Sequence, residues 1–416
     1  MFFVPKIFNK SNILLGVSVF VKFISIVVAI LISRWENVYF NPDLLKDVKL
    51  TLAYLGIILG FINFGIPQII YKLYTNESNQ DKLNDIWTTF FIFRIISYFF
   101  GIFVILITFS FFRVNNLFMV LGLYSMQFIL LTDQNYRSVV DSRDKSYMFS
   151  VTDLIGKILV TLSLYIGIQY FTTDLNILQL FIFSGIATYL LIYLLDSWVN
   201  RIYTKFTSFK WDILKDNFNA LLYLTLPGLL IMGSLDRIFL DYFGANKFAF
   251  NGYSNALKVL EIAVIFPNII IPTLTSRLKI QSDSLDKEQK ADKLNRYILY
   301  LFVLGIFYAL IVAFLSPYFF KLIDPKNLFS NYSLEVMWIF SIYLATIFLT
   351  TFHQYINYLH HKEILELKIH IFHYVLFVGL YVILIPKFGI VGASVTYLIS
   401  SVINLTSRFY IFKFKI

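Results

Sequence analysis

Apolar segments of about 20 residues recur along the whole of this 416-residue sequence. That is the length an α-helix needs to cross the hydrocarbon core of a bilayer. Only 14% of the residues are charged and 58% are hydrophobic, whereas soluble domains carry about 25% charged residues. The sequence therefore predicts an all-α, polytopic membrane protein of about 12 transmembrane helices.

The predicted spans are joined by short connections, so no extramembrane domain is inserted between them. Lys and Arg residues concentrate in every second connection, which is typical of cytoplasmic loops, and both termini are therefore predicted to be cytoplasmic. This bias also explains the net charge of +10, which does not indicate a nucleic-acid partner. We place the spans at 13–33, 51–71, 87–110, 117–136, 148–170, 177–197, 218–240, 252–276, 297–320, 333–356, 365–385 and 390–411.

A basic connection, 201–217, is expected to be a cytoplasmic linker between two lobes. It separates an N-terminal six-helix lobe, 1–200, from a C-terminal six-helix lobe, 218–416. A weak internal repeat supports this division, since Pro67 and Pro272 each precede a basic residue by five positions at the end of the second span of a half. Parallel six-helix halves are a known transporter architecture.

Several basic residues lie inside the predicted spans, where a charge costs about 2.5–3.5 kcal/mol and usually faces an interior or a watery cavity. Lys22 is the strongest candidate. It lies near the middle of the first span, on one helical face with Ser18 and Ser25, too deep for its stem to reach the interface. We expect it to contact an anionic substrate. The other candidates for substrate contact are Arg94, Lys157, Arg237 and Lys258, whereas Lys368 is interpreted as an interfacial anchor.

Three acidic residues within the spans are candidates for ion coupling: Asp153, Asp236 and Glu261. Asp153 precedes Lys157 by one helical turn, so the two either neutralise each other or face the cavity together. Asp236 and Glu261, with their basic neighbours, form either a structural network or a site that exchanges H⁺ or Na⁺. Arg94 either extends to the membrane interface or lines the cavity.

The sequence offers no chemistry typical of an enzyme. It has no cysteine, no glycine-rich phosphate-binding loop and no recognisable catalytic constellation. The five histidines are interpreted as structural or interfacial, not as metal ligands. No cofactor is expected beyond H⁺ or Na⁺ as a coupling ion, and any active transport must use a gradient or another protein.

Four segments resemble a known family. The stretch IPKFGIVGASVTYLIS at 385–400 is similar to the P-x-x-G-x-x-G-A pattern before the last helix of polysaccharide flippases. LDRIFLDYFGAN at 235–246 and FNGYSNALK at 250–258 are similar to their seventh and eighth helices, and FGIPQIIYK at 64–72 resembles the end of their second. The family is that of the Wzx-type repeat-unit flippases, in the multidrug/oligosaccharidyl-lipid/polysaccharide (MOP) exporter superfamily.

This resemblance implies a MATE-like fold of two six-helix lobes around a cationic cavity in the bacterial cytoplasmic (inner) membrane. It implies translocation of an undecaprenyl-pyrophosphate-linked oligosaccharide to the outer face, for O-antigen, capsule or another surface polysaccharide. Polysaccharide polymerase and chain-length machinery would be its partners. Two other functions remain open, a MATE-type exporter of another small molecule and a membrane saccharide polymerase or ligase.

Overall fold

The computed structural model describes most of the chain, and within the described residues it contains helices and short connections but no strand. The predicted all-α, polytopic architecture is therefore confirmed. The described residues are 24, 27–63, 65–112, 116–142, 146–170, 173–199, 207–218, 221, 232–282, 287–359 and 363–415.

The chain divides into two compact units, Met1–Leu229 and Leu230–Ile416. The helices of the first unit are α1 (27–39), α2 (Pro42–Asn63), α3 (Ile66–Asn76), α4 (Gln80–Thr108), α5 (Leu117–Ser142), α6 (Ser146–Tyr170), α7 (Asp174–Val199) and α8 (211–218). Those of the second unit are α9 (Met232–Tyr242), α10 (Lys247–Ser282), α11 (Lys287–Ile323), α12 (Ser330–Leu359) and α13 (Glu363–Lys415).

Part of the predicted linker 201–217 packs on the first unit. The backbone amides of Thr207 and Lys210 each donate to a threonine hydroxyl of α4, both at 3.1 Å. Leu214 of α8 lies in a buried apolar cluster with Trp87 and Phe90 of α4. Apolar burial thus holds the segment 207–218 against α4. The division into an N-terminal lobe that ends at 200 and a C-terminal lobe that begins at 218 stays a prediction.

The predicted second span, 51–71, is interrupted at Gly65. This residue has φ 60° and ψ 18°, a left-handed conformation that glycine adopts without steric cost. Pro67 lies in the first turn of the following helix, where its missing N–H leaves no bond unmade. The break in the predicted span therefore lies at Gly65, and Pro67 of the internal repeat begins the next helix. At the corresponding position of the second half, α10 continues through Pro272.

The two halves of α13 fold back on each other at Gly389, whose φ of 55° and ψ of −129° are not helical. Pairs on either side of this turn are in contact: the His373 ring bonds the Ser400 carbonyl, and the rings of Phe377 and Tyr397 lie 5.2 Å apart. The halves therefore run antiparallel. They correspond to the two spans predicted at 365–385 and 390–411.

Five segments of the described chain are long and apolar enough to cross a membrane. One of them, Ile364–Tyr410, has 47 residues and is long enough to cross twice because it folds at the Gly389 turn. The others are Gln80–Phe111, Asn176–Leu194, Asp292–Ile323 and Ser330–Gln354, with shorter apolar helices at Leu117–Thr132 and Leu154–Gly167.

Candidate functional site

Arg94 lies at the middle of α4 and is only 1% exposed. Its Nη2 donates to Oδ1 of Asn63 at 3.0 Å, and its Nη1 donates to the carbonyl oxygen of Ile62 at 3.4 Å. Both acceptors belong to the last turn of α2, just before the break at Gly65. Carbonyls at a helix C-terminus lack intrahelical donors and carry a partial negative charge. The break in α2 therefore creates the place that the guanidinium occupies.

The two described acceptors of the Arg94 guanidinium both lie in the first unit. Asn63 and the Ile62 carbonyl are neutral acceptors, so bonding to them orients the group without cancelling its positive charge. The carbon at the centre of the guanidinium also lies 5.8 Å from the centroid of the Phe128 ring, a favourable cation–π distance. Of the two alternatives for Arg94, the structure supports the cavity wall. Its side chain bonds to the end of α2 and does not extend to the membrane interface.

A cavity of about 250 Å³ opens beside Arg94 between α4, α5 and α7. Among the described residues of its wall most are apolar, and Arg94 is the charged one. Two polar groups of the wall satisfy each other, since the Tyr98 and Ser125 hydroxyls are 2.8 Å apart. The described part of the wall thus combines the buried positive charge of Arg94 with an apolar surface, which suits a ligand that has an anionic group beside an apolar chain.

Three of the predicted site residues cannot be placed from the described part of the chain. Lys22 lies in the segment 1–23, outside the described residues. Positions 153 and 157 lie on the helix α6, but the side chains of Asp153 and Lys157 are outside the described part as well. Their roles remain predictions.

Asp236 of α9 is fully buried and is bonded by three donors. Its Oδ1 accepts from the backbone N–H of Arg237 at 2.6 Å. Its Oδ2 accepts from the Tyr253 hydroxyl of α10 and from the Tyr397 hydroxyl of α13, the latter at 3.3 Å. Hydrogen bonds to a carboxylate are stronger than those between neutral groups, and they offset part of its desolvation. This carboxylate therefore joins three helices of the second unit.

Aromatic rings enclose the Asp236 carboxylate. The Tyr397 ring packs edge-on against Tyr343 and Phe340 of α12, at 5.4 and 5.3 Å between centroids. Tyr381, in the first half of α13, is also fully buried and lies close to the same carboxylate. Tyr381 and Tyr397 are each eight residues from Gly389, which places this group about 12 Å from the hairpin turn.

The other predicted residues of this region are less buried. Arg237 and Lys258 are half-buried, and Glu261 is exposed. Glu261 follows Tyr253 by eight residues on α10, about 12 Å along the helix axis. Of the two acidic candidates whose side chains are described, Asp236 is therefore the one that the structure places in a fully desolvated site.

The second unit contains a buried ion pair that was not predicted from the sequence. Glu366 and Arg408 have side chains that are each 2% exposed, and Arg408 Nη1 bonds Glu366 Oε1 across the two halves of α13. Asn357 of α12 donates to the same oxygen at 2.6 Å, and Arg408 Nε donates to Asn404 Oδ1 at 2.8 Å. The two partners are nearly equidistant from the predicted turn, and this symmetry was the signal in the sequence that could have paired them.

Two of the histidines are held by backbone carbonyls. The His353 Nδ1 lies 2.8 Å from the Leu349 carbonyl, and the His373 Nε2 lies 2.9 Å from the Ser400 carbonyl. His360 and His361 are outside the described residues. Within the described ranges, no group of three or more His, Cys, Asp or Glu residues is arranged to hold a metal ion.

Neither protein-family models nor curated proteins match the sequence. Solved structures do match the fold. An inward-facing multidrug-resistance MATE transporter of the MOP superfamily is 15% identical, with a TM-score of 0.71 over 97% of this chain and 98% of the other. The lipid II flippase MurJ, in an inward closed conformation, is 13% identical, with a TM-score of 0.66 over 96% and 87%.

A third similar structure is a MOP-superfamily transporter from Pyrococcus furiosus, described as having a binding pocket of reverse polarity that suggests a different function. It is 14% identical, with a TM-score of 0.64 over 96% of this chain and 93% of the other. At these identities the likeness establishes the fold. The chain has the fold of the MOP-superfamily transporters.

Proposed function

We propose that this chain is a flippase that moves an undecaprenyl-pyrophosphate-linked oligosaccharide from the cytoplasmic to the outer face of a bacterial cytoplasmic membrane. The observation that carries the proposal is the buried guanidinium of Arg94 in the wall of a largely apolar cavity. The substrate has the matching chemistry, because its anionic pyrophosphate is attached directly to a polyprenyl chain.

The barrier to this movement is the pyrophosphate. Its negative charges cannot enter hydrocarbon without compensation, whereas the polyprenyl chain is soluble there. A guanidinium can donate two parallel hydrogen bonds to phosphate oxygens, and it does so more strongly in a site that excludes water. Binding has to remain moderate, since the substrate must leave at the other face.

The comparisons agree with this proposal. A lipid II flippase, MurJ, has the same fold, and so do multidrug exporters of the MATE group. The transporter from Pyrococcus furiosus is described as having a pocket of reverse polarity, which indicates that pocket charge varies on this fold. A change of pocket charge is what a switch between cationic and anionic substrates requires.

We further propose alternating access between two states, biased by substrate or by an ion. Lys22, Lys157, Arg237 and Lys258 would supply further positive charge, and Asp236 is the proposed ion-coupling carboxylate, with Asp153 and Glu261 as the other candidates. Both termini would be cytoplasmic. The transported oligosaccharide would serve a polysaccharide polymerase and its chain-length machinery in building O-antigen, capsule or a related glycan.

One observation favours a second function, a MATE-type exporter of another small molecule. Asp236 is a buried carboxylate, and such a group could bind an organic cation or exchange one for H⁺. For the alternative of a saccharide polymerase or ligase, the described residues give no supporting observation. The two transport functions differ in the sign of the charge that the substrate carries.

The experiment is a flipping assay in proteoliposomes. A fluorescent undecaprenyl-pyrophosphate-linked oligosaccharide is placed in one leaflet, and its appearance in the other is followed with an impermeant quencher. We expect the wild type to exceed protein-free liposomes and Arg94→Ala to lose at least about tenfold in rate, equivalent to about 1.4 kcal/mol. Arg296→Ala is the control, because Arg296 is 74% exposed on α11. A wild-type rate equal to that of protein-free liposomes would contradict the proposal.

A further inference from the structure

A second polar cluster lies in the second unit, apart from Asp236. It consists of Glu366, His370 and Arg408 of α13 with Asn357 of α12, and we call it the Glu366 cluster. Arg408 follows Tyr397, a partner of Asp236, by 11 residues, about 16 Å along the helix. The cluster is about 30 Å from the Gly389 turn, close to the other end of the hairpin.

The two oxygens of the Glu366 carboxylate have different surroundings. Oε1 accepts from both Arg408 and Asn357. Oε2 points towards His370, one helical turn further on, and lies 3.8 Å from its Nε2. Both of these facing atoms are buried, and neither has a hydrogen-bond partner among the described residues. A buried acceptor without a hydrogen bond lowers the stability of the folded protein by about 1–3 kcal/mol. Binding of a proton between these two atoms would remove that cost.

We propose that Glu366 and His370 form a proton-binding site that is independent of Asp236. A proton taken from water binds the Nε2 lone pair of neutral His370, and the resulting N–H donates to Glu366 Oε2. The nitrogen–oxygen distance then shortens to about 2.8 Å, as in charge-assisted hydrogen bonds. The charge of the cluster changes from zero to +1, because Arg408 already balances Glu366.

His370 is the proposed acceptor because its Nε2 faces the Glu366 carboxylate. Burial of the ring and the charge of Arg408, on the other half of α13, oppose the added charge, and Glu366 favours it. Among the described residues, His353 of α12 and His373 of α13 also face the cluster, and each ring is already bonded to a backbone carbonyl. Of the three described histidines, His370 is the one whose nitrogen faces a carboxylate oxygen, and histidine is the side chain that changes charge between about pH 5 and 8.

Protonation of His370 would affect the packing of α12 against α13. Glu366 lies in the first half of α13 and is bonded to α12 and to the second half of α13, so a new bond to His370 competes with these contacts. This inference does not rest on the flippase proposal, because it needs only the contacts within the second unit. It would hold for a transporter of any substrate.

The test uses the full-length protein in lipid nanodiscs, labelled with ¹³C at its five histidines. Between about pH 8 and pH 5 we expect a reversible chemical-shift change in the signal that His370→Gln removes. Glu366→Gln should suppress that change, because the charge of Arg408 then stands unopposed. Asp236→Asn should leave it intact, which separates this site from the proposed coupling carboxylate.

A second measurement guards against misfolding of the Glu366 variant. In a weakly buffered pH jump over the same range, the His370→Gln protein should take up about one proton fewer than the wild type. A His370 signal that does not respond to pH, equal proton uptake by the two proteins, or a response that persists unchanged in folded Glu366→Gln would each overturn the proposal. None of these results would bear on lipid flipping.

Discussion

Asn63 accepts a hydrogen bond of 3.0 Å from Arg94 at the last residue of α2. Because the acceptor is a neutral amide, it orients the guanidinium without cancelling its charge. Asn63→Asp should form an ion pair of the same shape and remove the net positive charge. We expect the flipping rate to fall at least about tenfold, equivalent to about 1.4 kcal/mol.

Asn63→Ala is the matched comparison for this change. It removes the orienting bond and keeps the charge, so we expect a smaller loss of rate than in Asn63→Asp. The flipping assay in proteoliposomes measures both variants. Equal rates for the two would mean that the charge of Arg94 does not matter.

Asp236 is expected to carry ion coupling. Asp236→Asn keeps an acceptor for the hydroxyls of Tyr253 and Tyr397 but removes the negative charge. Transport by this variant should lose its stimulation by an imposed H⁺ or Na⁺ gradient, while the free energy of unfolding falls by only about 1 kcal/mol. The measurement compares the transport rate in proteoliposomes with and without the imposed H⁺ or Na⁺ gradient. Asp292→Asn, at a 75% exposed site, is the control and should keep the stimulation.

The turn of the α13 hairpin depends on Gly389. Its φ of 55° with ψ of −129° is a conformation that a side chain disfavours. We expect Gly389→Ala to lower the free energy of unfolding by about 1–3 kcal/mol. Gly379→Ala is the control, because Gly379 is helical with open space around it, and alanine there should gain about 0.5–1 kcal/mol. Thermal melting in detergent compares them, and equal melting curves would refute the role of the turn.

Lys22 retains its predicted role as an anion contact. Lys22→Ala should abolish surface polysaccharide in cells while the amount of inserted protein stays unchanged, because the cavity loses a positive charge. Lys368→Ala is the comparison, since Lys368 is exposed on α13 and is interpreted as an interfacial anchor. Glycan staining together with quantification of the protein in membranes measures both. Normal polysaccharide in the Lys22 variant would exclude this residue from the site.

The fold could be predicted because membrane spans are specified locally. Each span needs a run of apolar residues, and that run is visible without any knowledge of neighbours. The hairpin at Gly389 was found in this way from two apolar runs and a short connection. The break at Gly65 was not predicted, because it depends on a left-handed backbone at one glycine, and the apolar run 51–71 continues through that residue.

The sites were harder to predict because they depend on pairs distant in sequence. Arg94 meets Asn63 only after α2 and α4 pack together, and the periodicity of α4 contains no sign of that contact. Glu366 and Arg408 are 42 residues apart, and they pair because α13 folds at Gly389. Asp236 was identified as a candidate, but its tyrosine partners on α10 and α13 were not.

The most direct test of the proposed function is to measure which lipids the purified protein binds. Native mass spectrometry can compare undecaprenyl pyrophosphate with undecaprenol, which has the same chain and no phosphate. We predict at least about tenfold tighter binding of the pyrophosphate by the wild type, equivalent to about 1.4 kcal/mol, and loss of this preference in Arg94→Ala. Equal binding of the two lipids by the wild type, or an unchanged preference in Arg94→Ala, would contradict it.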